Sequence, residues 1–258
     1  MLPELGRIGP LTLRTYTVLL DTAIITGLVL MFVQARRFSG EQPAHWVDAG
    51  LGALLLGIVA GRLGHVGIYW HYFTDHRSEI IQVWLGGIDW HTAVIGGVAG
   101  LLIVSAWRGI SFARLSDAAA LTLPIGVILT YLGCLSTSCG HGREVGSLAD
   151  YPPLVAAELS DLYGVVAPRL SSQLYGAVLG VVLLLVFFLV ARCVQREGIR
   201  LWVLLILLGL GAFGIGFTRG DSIPMVGGLR LDQLLDLSIS ALAFIGLLAA
   251  LQTPVQET

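Results

Sequence analysis

The stretch Gln173-Leu174-Tyr175-Gly176-Ala177-Val178-Leu179-Gly180-Val181-Val182-Leu183-Leu184-Leu185-Val186-Phe187-Phe188-Leu189-Val190 decides the fold. It carries no charge, and as a helix it would cover about 27 Å at 1.5 Å per residue. That is close to the roughly 30 Å hydrocarbon core of a bilayer. Six more apolar segments lie around it: Tyr16 to Val33, Val47 to Tyr69, His91 to Trp107, Leu115 to Gly133, Leu201 to Phe217, and Leu234 to Leu251. Hydrophobic residues make up 55% of the 258, charged residues 12%, and the mean hydropathy is +0.83, which together exclude an ordinary soluble domain. The expectation is an all-α integral membrane protein, a bundle of about seven transmembrane helices forming one domain over residues 1–258. The longest connection, Gly140 to Ser171, would form a small extracytoplasmic loop cap.

Charge gives the orientation. The net charge is −2, and the basic residues, all arginine, form no run, so no nucleic-acid partner is expected. Arg7 and Arg14 precede the first segment without an apolar signal core or cleavage site, so that segment reads as a retained span. The first, third and fifth connections hold Arg36 and Arg37, Arg108 and Arg114, and Arg192, Arg196 and Arg200. The positive-inside rule places those connections in the cytoplasm, the N-terminus outside and the C-terminus inside. The localisation expected is a multi-pass protein of a bacterial plasma membrane.

Glycines are spread through the apolar segments, as at Gly57, Gly61 and Gly64 or Gly96, Gly97 and Gly100, and read as positions where helices approach closely. The polar residues inside the segments matter more, because an ionisable group in hydrocarbon is costly and marks function by default. Asp21, Arg62, His65, His91, Cys134 and Gln173 all fall toward the outer ends of their segments. Asp21 and Arg62 lie at similar depth and could pair. Tyr16, Arg62, His91, Cys134 and Gln173 are expected to line one cavity opening to the outer leaflet. An imidazole such as His91 suits proton transfer near neutrality. Arginine suits phosphate, and Arg62, Arg143 and Arg219 are the outer candidates. Cys134 and Cys139 form a thiol pair whose spacing permits a bridge or, with His91 and His141, a two-Cys, two-His set. That spacing fits no strong zinc pattern, so neither a metal nor another cofactor is expected. Cys193 reads as a small apolar packing residue.

Several short motifs in order resemble one family, the prolipoprotein diacylglyceryl transferases, bacterial membrane enzymes that lipidate lipoprotein precursors. Ile8-Gly9-Pro10 with Leu13-Arg14-Thr15-Tyr16 is similar to that family's opening, and Gly61-Arg62-Leu63-Gly64 to its second-helix motif. Gly86-Gly87-Ile88-Asp89-Trp90-His91 resembles Gly-Gly-Met-Ser-Phe-His, and Ser116-Asp117 the start of the next helix. Ser172-Gln173-Leu174-Tyr175 is similar to the Ser-Gln-Leu-Tyr stretch, and Gly211-Ala212-Phe213 to Gly-Ala-Phe-Arg. The family's Gly-Arg-Leu-Gly-Asn stands here as Thr130-Tyr131-Leu132-Gly133-Cys134, and a later polar position is Cys139. The arginine after Gly-Ala-Phe is Gly214, and the acidic residue one turn on is Thr218.

The resemblance implies transfer of a diacylglyceryl group from phosphatidylglycerol to a cysteine thiol of a lipoprotein precursor. It implies His91 and Tyr16 as catalytic residues, and Arg143, Gln173 and Tyr175 as substrate-binding residues; Arg62 and Arg219, as outer-side arginines, are expected to bind substrate in place of the family arginines missing at Tyr131 and Gly214. Phospholipid, thiol acceptor and membrane are the partners. A second reading keeps the fold but uses Cys134 and Cys139 as an extracytoplasmic thiol pair for redox or metal handling.

Overall fold

A computed structural model describes residues 3–9, 11–38 and 40–252. Pro10 of the opening motif and the residues after 252 lie outside that set. The chain is mostly helical: α1 (Thr15–Ala35), α2 (Pro43–Ile68), the short α3 (Trp70–Asp75), α4 (Trp90–Arg108), α5 (Phe112–Thr137), α6 (Ser172–Cys193), α7 (Arg200–Gly216) and α8 (Leu231–Gln252). Six of these, α1, α2, α4, α5, α6 and α8, are long and apolar enough to cross a membrane. The seventh expected span, α7, is apolar but has 17 residues, about 26 Å of rise. The protein is an integral membrane helical bundle, with six full-length spans, the shorter apolar α7 and the six-residue α3 among the described residues.

Short strands accompany the helices, which the hydropathy pattern does not reveal. β1 (Glu4–Ile8) pairs with β2 (Leu11–Arg14), β3 (Ala156–Ser160) with β4 (Val166–Leu170), and β5 (Met225–Val226) with β6 (Leu229–Arg230), each pair antiparallel. The long connection Gly140 to Ser171 therefore folds as a hairpin rather than as loop alone. These segments are too short and too mixed in polarity to show a strand period.

The chain divides into two compact units. One comprises Leu28–Ala119 with Glu197–Ile199; the other takes the chain up to Gly27, Ala120–Arg196 and the chain from Arg200. In the first, α2 and α4 pack along their length through glycines. A β-carbon on Gly96 would lie 2.3 Å from the Leu56 carbonyl oxygen, and one on Gly100 2.5 Å from that of Gly52. Only residues without a side chain permit backbones this close, the small-residue packing used between membrane helices. Around one end of this pair, Met31, Ala35, Trp46, Ala49, Leu101, Val104, Leu115 and Ala118 form a buried apolar cluster. Ion pairs close that end: Arg108 with Asp48 at 2.5 Å, and Arg114 with Glu41 and Glu197 at 3.2 Å each.

In the second unit, α7 meets α8 and α6 meets α5 through the same device. A β-carbon on Gly209 would sit 2.5 Å from the Asp236 carbonyl oxygen, and one on Gly180 2.9 Å from the Ile128 nitrogen. The opposite face of α6 exposes Val178, Val181, Val182, Leu185, Phe188 and Leu189, the apolar surface expected against lipid.

Candidate functional site

In the first unit the polar residues gather where α2 ends and α4 begins. Asp89 is the N-cap of α4, with one carboxylate oxygen accepting from the Thr92 backbone N–H at 2.9 Å and the Thr92 hydroxyl at 2.8 Å. Its other oxygen lies 2.8 Å from His91 Nδ1. His91 is 2% exposed, in the first turn of α4. The Asp89 N–H donates to the Gly61 carbonyl at 2.9 Å, which fixes the cap against α2. The Gly61-Arg62-Leu63-Gly64 motif makes this approach possible: a β-carbon on Gly64 would fall 2.1 Å from the Thr92 hydroxyl oxygen, and one on Gly61 2.5 Å from Ile88. Burial pushes the Asp89 carboxyl up, but hydrogen bonds from His91 and Thr92 outweigh it and hold the group below the usual carboxylate range.

Arg62 is buried beside this cap, and its guanidinium donates to main-chain carbonyls: Ile80 at 2.9 Å, Gly87 at 3.0 Å, Glu79 and Gly86. Gly86 and Gly87 both have left-handed φ, +87° and +78°, and it is this turn that directs their two carbonyls onto the guanidinium. Phe73 stacks below it, 5.3 Å from ring centre to guanidinium carbon. Asp21 is exposed on α1.

In the second unit a chain of contacts links most of the other expected residues. Tyr16 packs on Gly133, where a β-carbon would come within 2.9 Å of its ring. Cys134, next in sequence, is joined to Cys139 by a disulfide. The Cys139 carbonyl accepts from Gln173 Nε2 at 3.2 Å. Gln173 is 2% exposed, and its Oε1 is buried without a hydrogen-bond partner among the described residues. The Tyr175 hydroxyl donates to the Val155 carbonyl, which also accepts the Ser171 N–H at 3.0 Å, so the β3–β4 hairpin is tied to the first turn of α6. Tyr131 fills the space opposite Gly176, where a β-carbon would lie 2.2 Å from its ring.

Gly142 holds this end together. A β-carbon on it would fall 1.8 Å from the Leu170 carbonyl oxygen. Its neighbours are pinned on both sides, with Arg143 N–H donating to Thr218 at 2.9 Å and Gly220 N–H to His141 at 2.9 Å. Arg219 pairs with Asp221 at 2.6 Å and Asp232 at 3.4 Å, and Arg230 pairs with the same two carboxylates. Burial pushes the Asp221 carboxyl up, yet Arg219 and Arg230 hold it below the usual carboxylate range. Arg143 differs: it is exposed, and among the described residues its side chain has no hydrogen-bond or ion-pair partner. Arg169 is buried and binds Glu144 at 2.8 Å and Asp161 at 3.1 Å.

Asp89 stands in the Gly86–His91 motif two residues before the helix-opening His91, and that spacing is the one sign of its contact that the sequence carries. Asp221 and Asp232 each follow their nearer arginine by two residues, but the crossed pairs Arg219–Asp232 and Arg230–Asp221 that join the two are fixed only by the fold. Among the described residues no group of three or more His, Cys, Asp or Glu is placed to hold a metal ion. The two-Cys, two-His set is thus not assembled there.

Comparison with known proteins agrees with the motifs. The family model described as prolipoprotein diacylglyceryl transferase matches residues 3–249. The phosphatidylglycerol–prolipoprotein diacylglyceryl transferase of Bacillus velezensis is 28% identical over 247 residues, 94% of this chain and 90% of that protein. The protein of the same name from Geobacillus kaustophilus is 30% identical over 237 residues, 92% of this chain and 87% of that protein. The one from Thermosynechococcus vestitus is 30% identical over 249 residues, covering 93% and 89%.

Proposed function

The chain belongs to the prolipoprotein diacylglyceryl transferase family, and from that premise we propose that it moves a diacylglyceryl group from phosphatidylglycerol to a cysteine thiol of a lipoprotein precursor. The observation that carries the reading is His91, buried in the first turn of α4 within a motif of the family and held by a hydrogen bond through Nδ1. His91 takes the thiol proton. The thiolate attacks the glycerol carbon of the diacylglyceryl group, a C–S bond forms, and the C–O bond to phosphate breaks. Glycerol phosphate leaves with the electron pair, and a cation stabilises the charge it carries.

Arg143 is that cation in our reading. Arg62 is spent on four carbonyls and Arg219 on two carboxylates, whereas Arg143 is exposed and unpaired among the described residues. Arg62 and Arg219 then serve by holding the 79–87 loop and the α7–α8 junction. Gln173, with its unpartnered Oε1, accepts from a substrate hydroxyl, and Tyr16 and Tyr175 shape the same end of their unit. The whole chain acts as one transferase domain. It lies in the plasma membrane with its N-terminus outside and C-terminus in the cytoplasm, an orientation supported by the arginines of the odd connections.

One observation favours the second reading: Cys134 and Cys139 are bonded where the family motif has other residues. Incubating purified protein with labelled phosphatidylglycerol and a lipobox peptide separates the two. Lipidation lost in His91→Ala but retained in Cys134→Ser and Cys139→Ser is the expected result. An inert protein, under conditions where the Bacillus velezensis relative works, would overturn the transferase reading.

A further inference from the structure

We propose that the Cys134–Cys139 disulfide is a redox-sensitive positioning bond for Gln173: closed, it holds the Cys139 carbonyl on the Gln173 amide, and opened by a dithiol it releases that amide and weakens substrate binding. The inference rests on the transferase reading for its kinetic consequence, but the link from bridge to amide comes from geometry. Helix α5 ends at Thr137, and the chain then turns so that residue 139 comes back beside the last turn of the helix. The bridge joins the two sides of that turn, with the Cys134 and Cys139 α-carbons 4.7 Å apart. Between them Ser138 has φ +61°, a left-handed conformation that an L-residue keeps only where its surroundings hold it. Apart from the bridge, Ser138 is held through its hydroxyl by that of Ser160, at 2.6 Å.

Gln173 depends on this turn. Its Nε2 donates to the Cys139 carbonyl at 3.2 Å, the only hydrogen bond its side chain makes among the described residues. That bond sets which end of the amide faces the turn, and so where Oε1, the atom assigned above to a substrate hydroxyl, is presented. The seat of Tyr16 does not share the dependence, since Gly133 lies within α5. Loss of the bridge therefore bears on binding through Gln173 rather than on proton transfer. Both cysteines are only half-buried, so a small dithiol can reach the bridge, and the outer face proposed for this end is where disulfides persist. A thiolate of the dithiol attacks one sulfur, the S–S bond breaks, and the second thiol of the reagent displaces the mixed disulfide. Two electrons and two protons pass to Cys134 and Cys139, and the reagent leaves as its own disulfide. The bridge then acts on the transferase as a control, not as its reacting group.

The test uses the full chain in phosphatidylglycerol-containing micelles with a lipobox peptide as acceptor, before and after treatment with dithiothreitol. Maleimide adducts counted by mass report the bridge: one, on the free Cys193, when it is closed, and three when it is open. Opening should raise KM for phosphatidylglycerol about tenfold with kcat nearly unchanged, and reoxidation should restore it. The double variant Cys134→Ser with Cys139→Ser should stay at the raised KM with or without the dithiol, and remain active at saturating substrate. Gln173→Ala should start near that KM and no longer respond to the dithiol, because bridge and amide act as one unit. An opened protein whose KM stays within about twofold of the closed one would overturn the proposal. So would a Gln173→Ala protein that responds as strongly as the wild type, the result expected of a bridge that only stabilises the fold. Nitrogen-15 NMR of the Gln173 side-chain amide, identified by its loss in Gln173→Ala, gives a readout independent of turnover. A resonance that shifts when the bridge opens supports the coupling even if the wild type lipidates nothing and the transferase reading falls. A resonance that stays in place overturns it.

Discussion

The Arg62 guanidinium donates to the Gly87 carbonyl at 3.0 Å, and through its other N–H groups it binds the carbonyls of Glu79, Ile80 and Gly86. A charge buried near the end of a membrane helix is satisfied here by four backbone carbonyls and the face of the Phe73 ring. Arg62→Ala would strand those carbonyls, and hydrogen bonds to a charged group are each worth about 1.5–3 kcal/mol. The expected loss of stability is on the order of 3 kcal/mol. Thermal unfolding in detergent checks it. Lysine should rescue little, since one ammonium cannot replace the planar fork. A variant as stable as the wild type but weakened for phospholipid would reassign Arg62 to substrate.

Arg143 should behave in the opposite way. It is exposed and unpaired among the described residues, so Arg143→Ala should change stability by no more than about 0.5 kcal/mol. If it stabilises the leaving phosphate, the rate should fall about a hundredfold. Lipidation kinetics and unfolding on the same preparation separate the two effects, and an unchanged rate would remove Arg143 from the site.

Gly142→Ala should be among the most damaging single-methyl substitutions. The new carbon would sit 1.8 Å from a main-chain oxygen, and backbone on both sides is pinned by hydrogen bonds. Overpacking of this kind costs about 1–3 kcal/mol. Gly126→Ala is the control, because nothing lies within 4 Å of its β-carbon position in α5. It should be neutral or slightly stabilising. Equal effects from the two substitutions would contradict the packing described.

Asp221 sets an acid limit. Despite burial, Arg219 and Arg230 hold its carboxyl below the ordinary range, so the folded state binds the proton less readily than the unfolded chain. Its contribution is therefore present above the unfolded carboxylate pKa, near 4, and is lost as pH falls through the lower folded value. Asp221→Asn should cost about 2 kcal/mol at neutral pH and flatten the stability profile in the acid limb. Unfolding midpoints measured from pH 7 down to 3 check this; parallel profiles for the two proteins would rule it out.

Orientation can be read by thiol labelling. In a background with Cys134, Cys139 and Cys193 replaced by serine, single cysteines are placed at Ser147 and Gln195, both exposed. An impermeant reagent should reach Ser147→Cys from outside intact cells and miss Gln195→Cys. The reverse pattern would invert the topology.

The apolar runs alone are enough to show a multi-span membrane protein, because uninterrupted stretches of span length have no other stable home. The sequence also locates His91, Arg62 and Gln173 as residues whose burial demands a reason, since polar atoms in lipid are too costly to be incidental. The glycines at 61, 64 and 142 were visible, but only as small residues. What each faces depends on a partner distant in sequence: Thr92 for Gly64, Leu170 for Gly142. The same holds for the arginines. From the sequence, Arg62, Arg143 and Arg219 were the outer-side candidates for phosphate, with Arg62 foremost because it lies inside an apolar segment where an unpaired charge is costly. Tertiary structure separated them by giving the first four carbonyls, the last two carboxylates, and Arg143 none among the described residues. The hairpins and the Asp89–His91 pair were also decided only by the fold. Hydropathy averages over a span, whereas a hydrogen bond is a matter of one atom, its direction and a distance near 2.8 Å.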